Sequence, residues 1–210
     1  MGKLEGGLFG RLSGRIGNQV YYQLRGKTVV RKIGRNENPA SHKQLHVRQK
    51  MKVLGDFFKP IKAYLKLGFA EAVAGTAMFP YNAAVKYNLE GGIQGEYPDL
   101  VIDYENILVS KGELLSPLNP VVEKTLEGLR FSWEVDAMDY QARYDSAMLL
   151  ICFPERHDAI YFLNAAHRLS GTVVIPLSAE ELAREMRIYM SFISEGKNQV
   201  SDSVYLPLFP

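Results

Sequence analysis

The chain has 210 residues, of which 47% are hydrophobic, 23% charged and 11% aromatic, an ordinary globular composition that excludes collagen-like, coiled-coil and wholly disordered chains. The length admits one large domain or two small ones. The net charge of +2 conceals an asymmetry: residues 1–60 carry thirteen Lys/Arg against Glu5, Glu37 and Asp56, a net +10, and the remainder carries twelve basic against twenty acidic side chains, a net −8.

Residues 1–18 hold Gly2, Gly6, Gly7, Gly10, Gly14 and Gly17, interleaved with Leu4, Leu8, Phe9, Leu12 and Ile16. Glycine this dense disfavours helix and permits close backbone approach. The stretch reads as an arm that orders by packing, on its own body or on a neighbouring copy. It lacks the long apolar core of a secretory signal. No apolar run in the chain approaches the ~20 residues a membrane helix needs. A soluble protein without membrane insertion is expected, cytoplasmic or in an assembled particle.

Val20–Leu24 and Thr28–Ile33 are β-rich runs around the turn Arg25-Gly26-Lys27, which predicts a hairpin. An isolated hairpin is marginal in water, so this one is expected to join a larger sheet or dock elsewhere. Gly34–Pro39 is a loop. Ser41 and Gln44 fit a capping box for a helix over 41–58, which Pro60 should kink or end. Helical spacing continues over 61–73 and 81–89, where Gly91-Gly92 stops it.

From Tyr97-Pro98-Asp99 the period changes. Strands are predicted near 100–110, 129–136, 146–153, 158–164, 170–177, 186–194 and 202–206. Leu129–Val135 alternates cleanly, and Arg187–Ile193 does so approximately. Ser178 and Glu181 form a second capping box for a single helical turn, and Ser194–Asn198 is a turn joining the last two strands. Seven short strands around one Trp predict an immunoglobulin- or fibronectin-like antiparallel sandwich. The expected class is therefore α+β, with residues 1–95 holding arm, hairpin and helices and residues 96–210 the sandwich.

Elements of chemistry are sparse. Cys152 lies in the apolar run Met148–Phe153, excludes an internal disulfide, and reads as an inert buried thiol. His42 and His46 share a helical face, but Lys43-Gln44-Leu45 between them departs from HExxH and a third ligand is missing. Gly10–Gly17 matches neither GxGxxG nor GxxxxGK[ST], so no nucleotide cradle is expected. Asp136, Asp139, Asp145 and Glu134 could be paired as acid and base, yet read more simply as acidic loop residues. No catalytic, cofactor-binding or metal residues are assigned, no cofactor or small-molecule substrate is expected, and the protein is not expected to be an enzyme.

The candidate contacts for an anionic partner or another subunit are Arg11, Arg15, Arg25, Lys27, Arg31, Lys32 and Arg35. Tyr21 and Tyr22 lie among them, and cations with stacking groups suit nucleic acid. Strand alternation separates the two tyrosines, so at most one can share a face with a given basic row. A glycine-rich arm beside an unsupported hairpin also suits augmentation of a neighbour's sheet, and a basic head with an acidic body suits contacts between identical subunits. The expectation is a structural or interaction protein that self-associates through arm and hairpin, by fold-level analogy of phage- or virion-like type. Nucleic-acid binding through the basic hairpin is the rival, and a solvated basic face the plain alternative.

Several short runs carry a resemblance. They are Met1-Gly2-Lys3, Gly14-Arg15-Ile16-Gly17, Val29-Val30-Arg31-Lys32, Gln44-Leu45 with Arg48, Gly68-Phe69, Tyr87-Asn88 and Tyr97-Pro98-Asp99, then Ser146-Ala147-Met148-Leu149 and Ser201-Asp202-Ser203-Val204-Tyr205. In these the chain resembles an uncharacterised domain-of-unknown-function family of Bacteroidetes proteins of about this length. The resemblance implies no activity and carries over no catalytic residues.

Overall fold

The computed structural model describes residues 3–5, 10–24, 26–34, 38–135, 144–196 and 199–208, with backbone alone for Lys3, Leu4, Glu5 and Arg11. Two compact units divide between Ser41 and His42, whereas the change of periodicity suggested 95/96.

In the first unit the predicted hairpin is the second half of a four-stranded antiparallel meander, β1 (Lys3–Glu5), β2 (Arg11–Ile16), β3 (Gln19–Leu24) and β4 (Lys27–Lys32). The glycine-rich stretch, expected as an arm, therefore supplies two strands. Its glycines hide this from propensity, because glycine is disfavoured in strands. Gly17, at φ +59, instead makes the tight turn that folds β2 onto β3.

The second unit begins with helices. α1 (His42–Phe58) stops two residues before Pro60, as Pro60 requires. α2 (Lys62–Gly68) is shorter than the predicted segment and gives way to a 3-10 turn over Glu71–Val73. α3 (Pro80–Gly91) starts on a proline and ends at the glycine pair. A two-stranded ribbon follows, β5 (Ile93–Gln94) with β6 (Val101–Ile102). The strand expected near 100–110 shrinks to this pair.

The strand β7 (Leu118–Thr125), which sequence patterning passes over, pairs with β8 (Gly128–Glu134). Pro117 and Pro120 mask it, and Pro120 is tolerated because β7 is an edge strand with a register shift between Leu118 and Val121. β9 (Ser146–Phe153), β10 (Asp158–Phe162), β11 (Thr172–Pro176), the helical turn α4 (Ala179–Leu182), β12 (Arg187–Ile193) and β13 (Val204–Leu206) complete the chain. Both expected cap contacts of α4 are present: Ser178 Oγ accepts from the Glu181 amide, and the Glu181 carboxylate accepts from the Ser178 amide. The strands form one antiparallel sheet of order β10-β9-β12-β13 and another of order β11-β8-β7.

The central strand β9 explains the layering. All eight of its residues are buried, and strand alternation sends them to two different cores. Ala147, Leu149, Ile151 and Phe153 join Leu129, Phe131, Trp133, Ile188, Met190 and Phe192 between the two sheets. Met148, Leu150 and Cys152 join Leu54, Phe58, Tyr64, Leu65 and Phe69 from the helices. The four-stranded sheet is thus the middle of three layers, and helices from before residue 95 share a core with strands from after it.

Buried polar groups fasten these layers. The Asn88 amide, on α3, donates to the carbonyls of Ala84 and Leu108 at 2.8 Å each and accepts from the Leu108 amide at 2.7 Å. Gly68 packs so closely on the 109–110 backbone that a Cβ there would lie 2.6 Å from the Val109 carbonyl oxygen. Arg168 and Asp145 pair at 3.5 Å with both side chains nearly buried, the guanidinium lies 4.5 Å from the Phe192 ring centre, and Trp133 Nε1 donates to the Arg168 carbonyl at 2.7 Å.

Candidate functional site

Backbone register sorts the side chains of the first unit onto two faces. Arg15, Val20 and Arg31 form one row across three strands. Tyr22 with Val29, and Leu24 with Lys27, extend that face along the sheet, because alternate residues of a strand share a side. Strand spacing places Arg15 and Arg31 about 10 Å apart, and rise per residue separates Lys27 from Arg31 by about 13 Å. No acidic residue occurs in β2, β3 or β4, so this face is a patch of spaced cations around Tyr22.

The opposite face carries Ile16, Gln19 and Lys32 in one row, Tyr21 with Val30 in the next, and Gln23 with Thr28 beyond. Tyr21 donates to Gln19 Oε1 at 2.8 Å, and Gln23 to Thr28 Oγ1 at 2.7 Å. The question of which tyrosine joins the cations is therefore answered by register: it is Tyr22. Lys32 belongs with Tyr21 instead. Arg11 pairs through its backbone with Glu5, and Arg25 and Arg35 lie outside the described residues.

None of the described side chains of β2, β3 and β4 is buried. Ile16, Tyr22, Leu24 and Val30 are 45%, 38%, 54% and 48% exposed. The charges of this surface are legible in the sequence; the alternation of its apolar residues becomes legible only with the register.

Other candidates from the sequence are separated. His42 packs edge-on against Tyr97 at 5.3 Å, and both line a shallow groove with His46 and Glu96. Among the described residues no group of three His, Cys, Asp or Glu side chains is placed to hold a metal ion. Of the four acidic residues near 134–145, Asp145 is committed to Arg168, Glu134 accepts from Asn119 at 2.8 Å, and Asp136 and Asp139 lie outside the described residues. Cys152 forms part of the floor of a cleft of about 260 Å³, with Leu100, Ile102 and Phe153, below a mouth bearing Asp56, His157 and Asp158. Burial pushes its thiol far up from the ordinary cysteine value, so it supplies no thiolate for nucleophilic attack near neutral pH.

No helix among the described residues is long and apolar enough to cross a membrane. No curated protein and no solved structure matches the chain. A family model described as a family of unknown function, DUF6266, matches residues 11–207, from the first residue of β2 to just past the end of β13. By that match, which spans every strand of the second unit and most of the first unit, the chain belongs to the DUF6266 family.

Proposed function

We propose that the protein is a non-enzymatic structural or interaction protein that self-associates through its amino-terminal sheet, in assemblies of identical copies of the phage- or virion-like type. The observation that carries this reading is a four-stranded sheet with no buried side chain among the described residues of β2–β4 and with large apolar groups on both faces. Each Å² of apolar surface removed from water contributes about 25 cal/mol, so such a sheet gains by being covered. Charge selects the partner: residues 1–41 carry eight basic against two acidic residues, and residues 42–210 seventeen against twenty-one. Residues 42–210 of a second copy offer the opposite net charge to this sheet. Light scattering on the full chain over a concentration series tests this, and a mass that stays at one chain throughout would reject it.

We further read the paired sheets as an immunoglobulin- or fibronectin-like sandwich. Seven antiparallel strands split four and three, and the chain crosses between sheets after β8, β10 and β11. The single Trp packs edge-on against Phe192 between them at 5.9 Å. These features support the assignment, and such domains serve widely as display and adhesion modules.

One observation favours a second reading, nucleic-acid binding. Tyr22 shares its face with Arg15, Lys27 and Arg31, the arrangement in which a base stacks while flanking cations hold phosphates. Gel shifts at several salt concentrations test it. Binding that steepens with falling salt and is lost in Arg15→Glu/Arg31→Glu supports this reading; no shift at low salt removes it.

A further inference from the structure

The turn between β7 and β8 is Leu126-Glu127, and Leu126 is fully exposed at 105%. Neither Leu126 nor Glu127 has a positive φ, so the turn accepts most residues, and its exposed leucine is free to serve a contact. In the hairpin beneath it Thr125 Oγ1 donates to the Gly128 carbonyl at 3.1 Å, and Gly128 at φ +146 lies where a Cβ would sit 2.0 Å from the Ile175 carbonyl oxygen. The tip is thus an exposed apolar knob with an acidic neighbour. Glu123 and Arg130 face each other behind it across the strand pair.

The helical layer carries the converse shape. A groove of about 500 Å³ is lined by Phe79, Pro80 and Tyr81 at the start of α3 and by Lys62 and Lys66 of α2. Phe79 is 72% exposed, and the two lysines, four residues apart, stand on one face of their helix. An aromatic slot rimmed by two cations complements a leucine flanked by a glutamate in both shape and charge.

Knob and groove cannot meet within one molecule, because the middle β10-β9-β12-β13 sheet lies between their layers. We propose that the Leu126-Glu127 tip of one copy docks into the Phe79–Lys62–Lys66 groove of the next. The contact is heterologous, so repetition builds a ring or an open filament. It gives the self-association proposed above a direction, yet uses only residues 42–210 and stands independently of the amino-terminal sheet. The contact is small, and small contacts are weak singly; repeated along an assembly they gain through effective concentration.

Disulfide trapping on the full chain tests it. A Lys124→Cys chain, which keeps Leu126, is mixed with a tagged Met78→Cys chain, which keeps Phe79, under mild oxidation, and in parallel with a tagged Glu195→Cys chain; all three positions are exposed. The mixed dimer with Met78→Cys is expected in about tenfold excess over the control, the discrimination that 1.4 kcal/mol gives. Adding Lys62→Glu/Lys66→Glu to the groove partner is expected to abolish the excess, and adding Glu127→Lys to the knob partner to restore it. Equal yields in the two mixtures, or an excess indifferent to charge reversal, would overturn the proposal. Failure of the amino-terminal sheet to associate would lower total cross-linking without altering this ratio.

Discussion

The hydroxyl oxygens of Tyr64 and Ser191 lie 3.0 Å apart, both side chains fully buried and 127 positions apart in the chain. Tyr64 belongs to α2 and Ser191 to β12, so this hydrogen bond joins the helical layer to the middle sheet inside the buried core. Its loss leaves a buried hydroxyl without its partner, which is why its energetics read out the docking of the two layers.

Tyr64→Phe and Ser191→Ala are each expected to cost about 1–3 kcal/mol, because each strands the remaining hydroxyl. The double variant is expected to cost clearly less than the sum, since it removes both polar groups together. Urea unfolding of the four chains measures the coupling; strict additivity would show that the two hydroxyls act independently.

Arg168 meets three neighbours at once: the Asp145 carboxylate, the Phe192 ring and, through Nη1, the Leu115 carbonyl at 3.1 Å. Arg168→Met keeps much of the side-chain volume and removes the guanidinium that faces the buried Asp145 carboxylate at 3.5 Å. A loss of about 3–5 kcal/mol is expected. Thermal unfolding checks this, and a change under about 1 kcal/mol, the size of an exposed ion pair, would show that solvent rather than Arg168 compensates Asp145.

Gly68→Ala is expected to destabilise by prising α2 from the 109–111 segment, because the added methyl would lie 2.6 Å from the Val109 carbonyl oxygen while Lys111 donates to the Gly68 carbonyl at 2.8 Å. Overpacking of this kind costs about 1–3 kcal/mol. Hydrogen exchange at the Lys111 amide is the local readout and should accelerate; unchanged protection would place the strain elsewhere.

Alkali should weaken the second unit. Burial pushes the phenols of Tyr64 and Tyr189 far above their ordinary value of 10.0, with Ser191 opposing the shift at Tyr64 and Arg187 at Tyr189. A group with a raised pKa in the folded state keeps its proton there while the unfolded chain loses it. Its contribution is therefore complete below pH 10 and declines as pH rises from that value toward the folded pKa. Unfolding free energy measured from pH 8 to 11 should fall above pH 10, and less steeply in Tyr64→Phe. A flat profile would contradict burial of these phenols.

Much of this fold was legible beforehand, and the exceptions have physical causes. Pro60 ended α1, the Ser178–Glu181 cap formed, and Trp133 went to the core, because each depends on local rules. The apolar run Met148–Phe153 reads from sequence as one strand of a free-standing sandwich. Its lack of alternation was the available sign that both faces are covered, and the cover proved to be α1, α2 and α3. β7 was hidden by Pro117 and Pro120, and β2 by its glycines. On the candidate site, charge alone picked out Arg15, Lys27 and Arg31. Their union with Tyr22, and the exclusion of Lys32, required the pairing register, which depends on the turn at Gly17 and could not be counted from composition. Leu126 and Phe79 carry no motif; only their exposure sets them apart.

The central claim is that the amino-terminal sheet is an association surface. Light scattering of the full chain beside Tyr22→Asp/Val29→Asp tests it most directly, because both substitutions fall on one face of β3 and β4 and bury no charge within the chain's own core. The account predicts a mass of more than one chain for the parent, rising with concentration, and a marked shift toward the single-chain mass for the variant. A parent that remains a single chain at every concentration, or a variant that associates as the parent does, would contradict it.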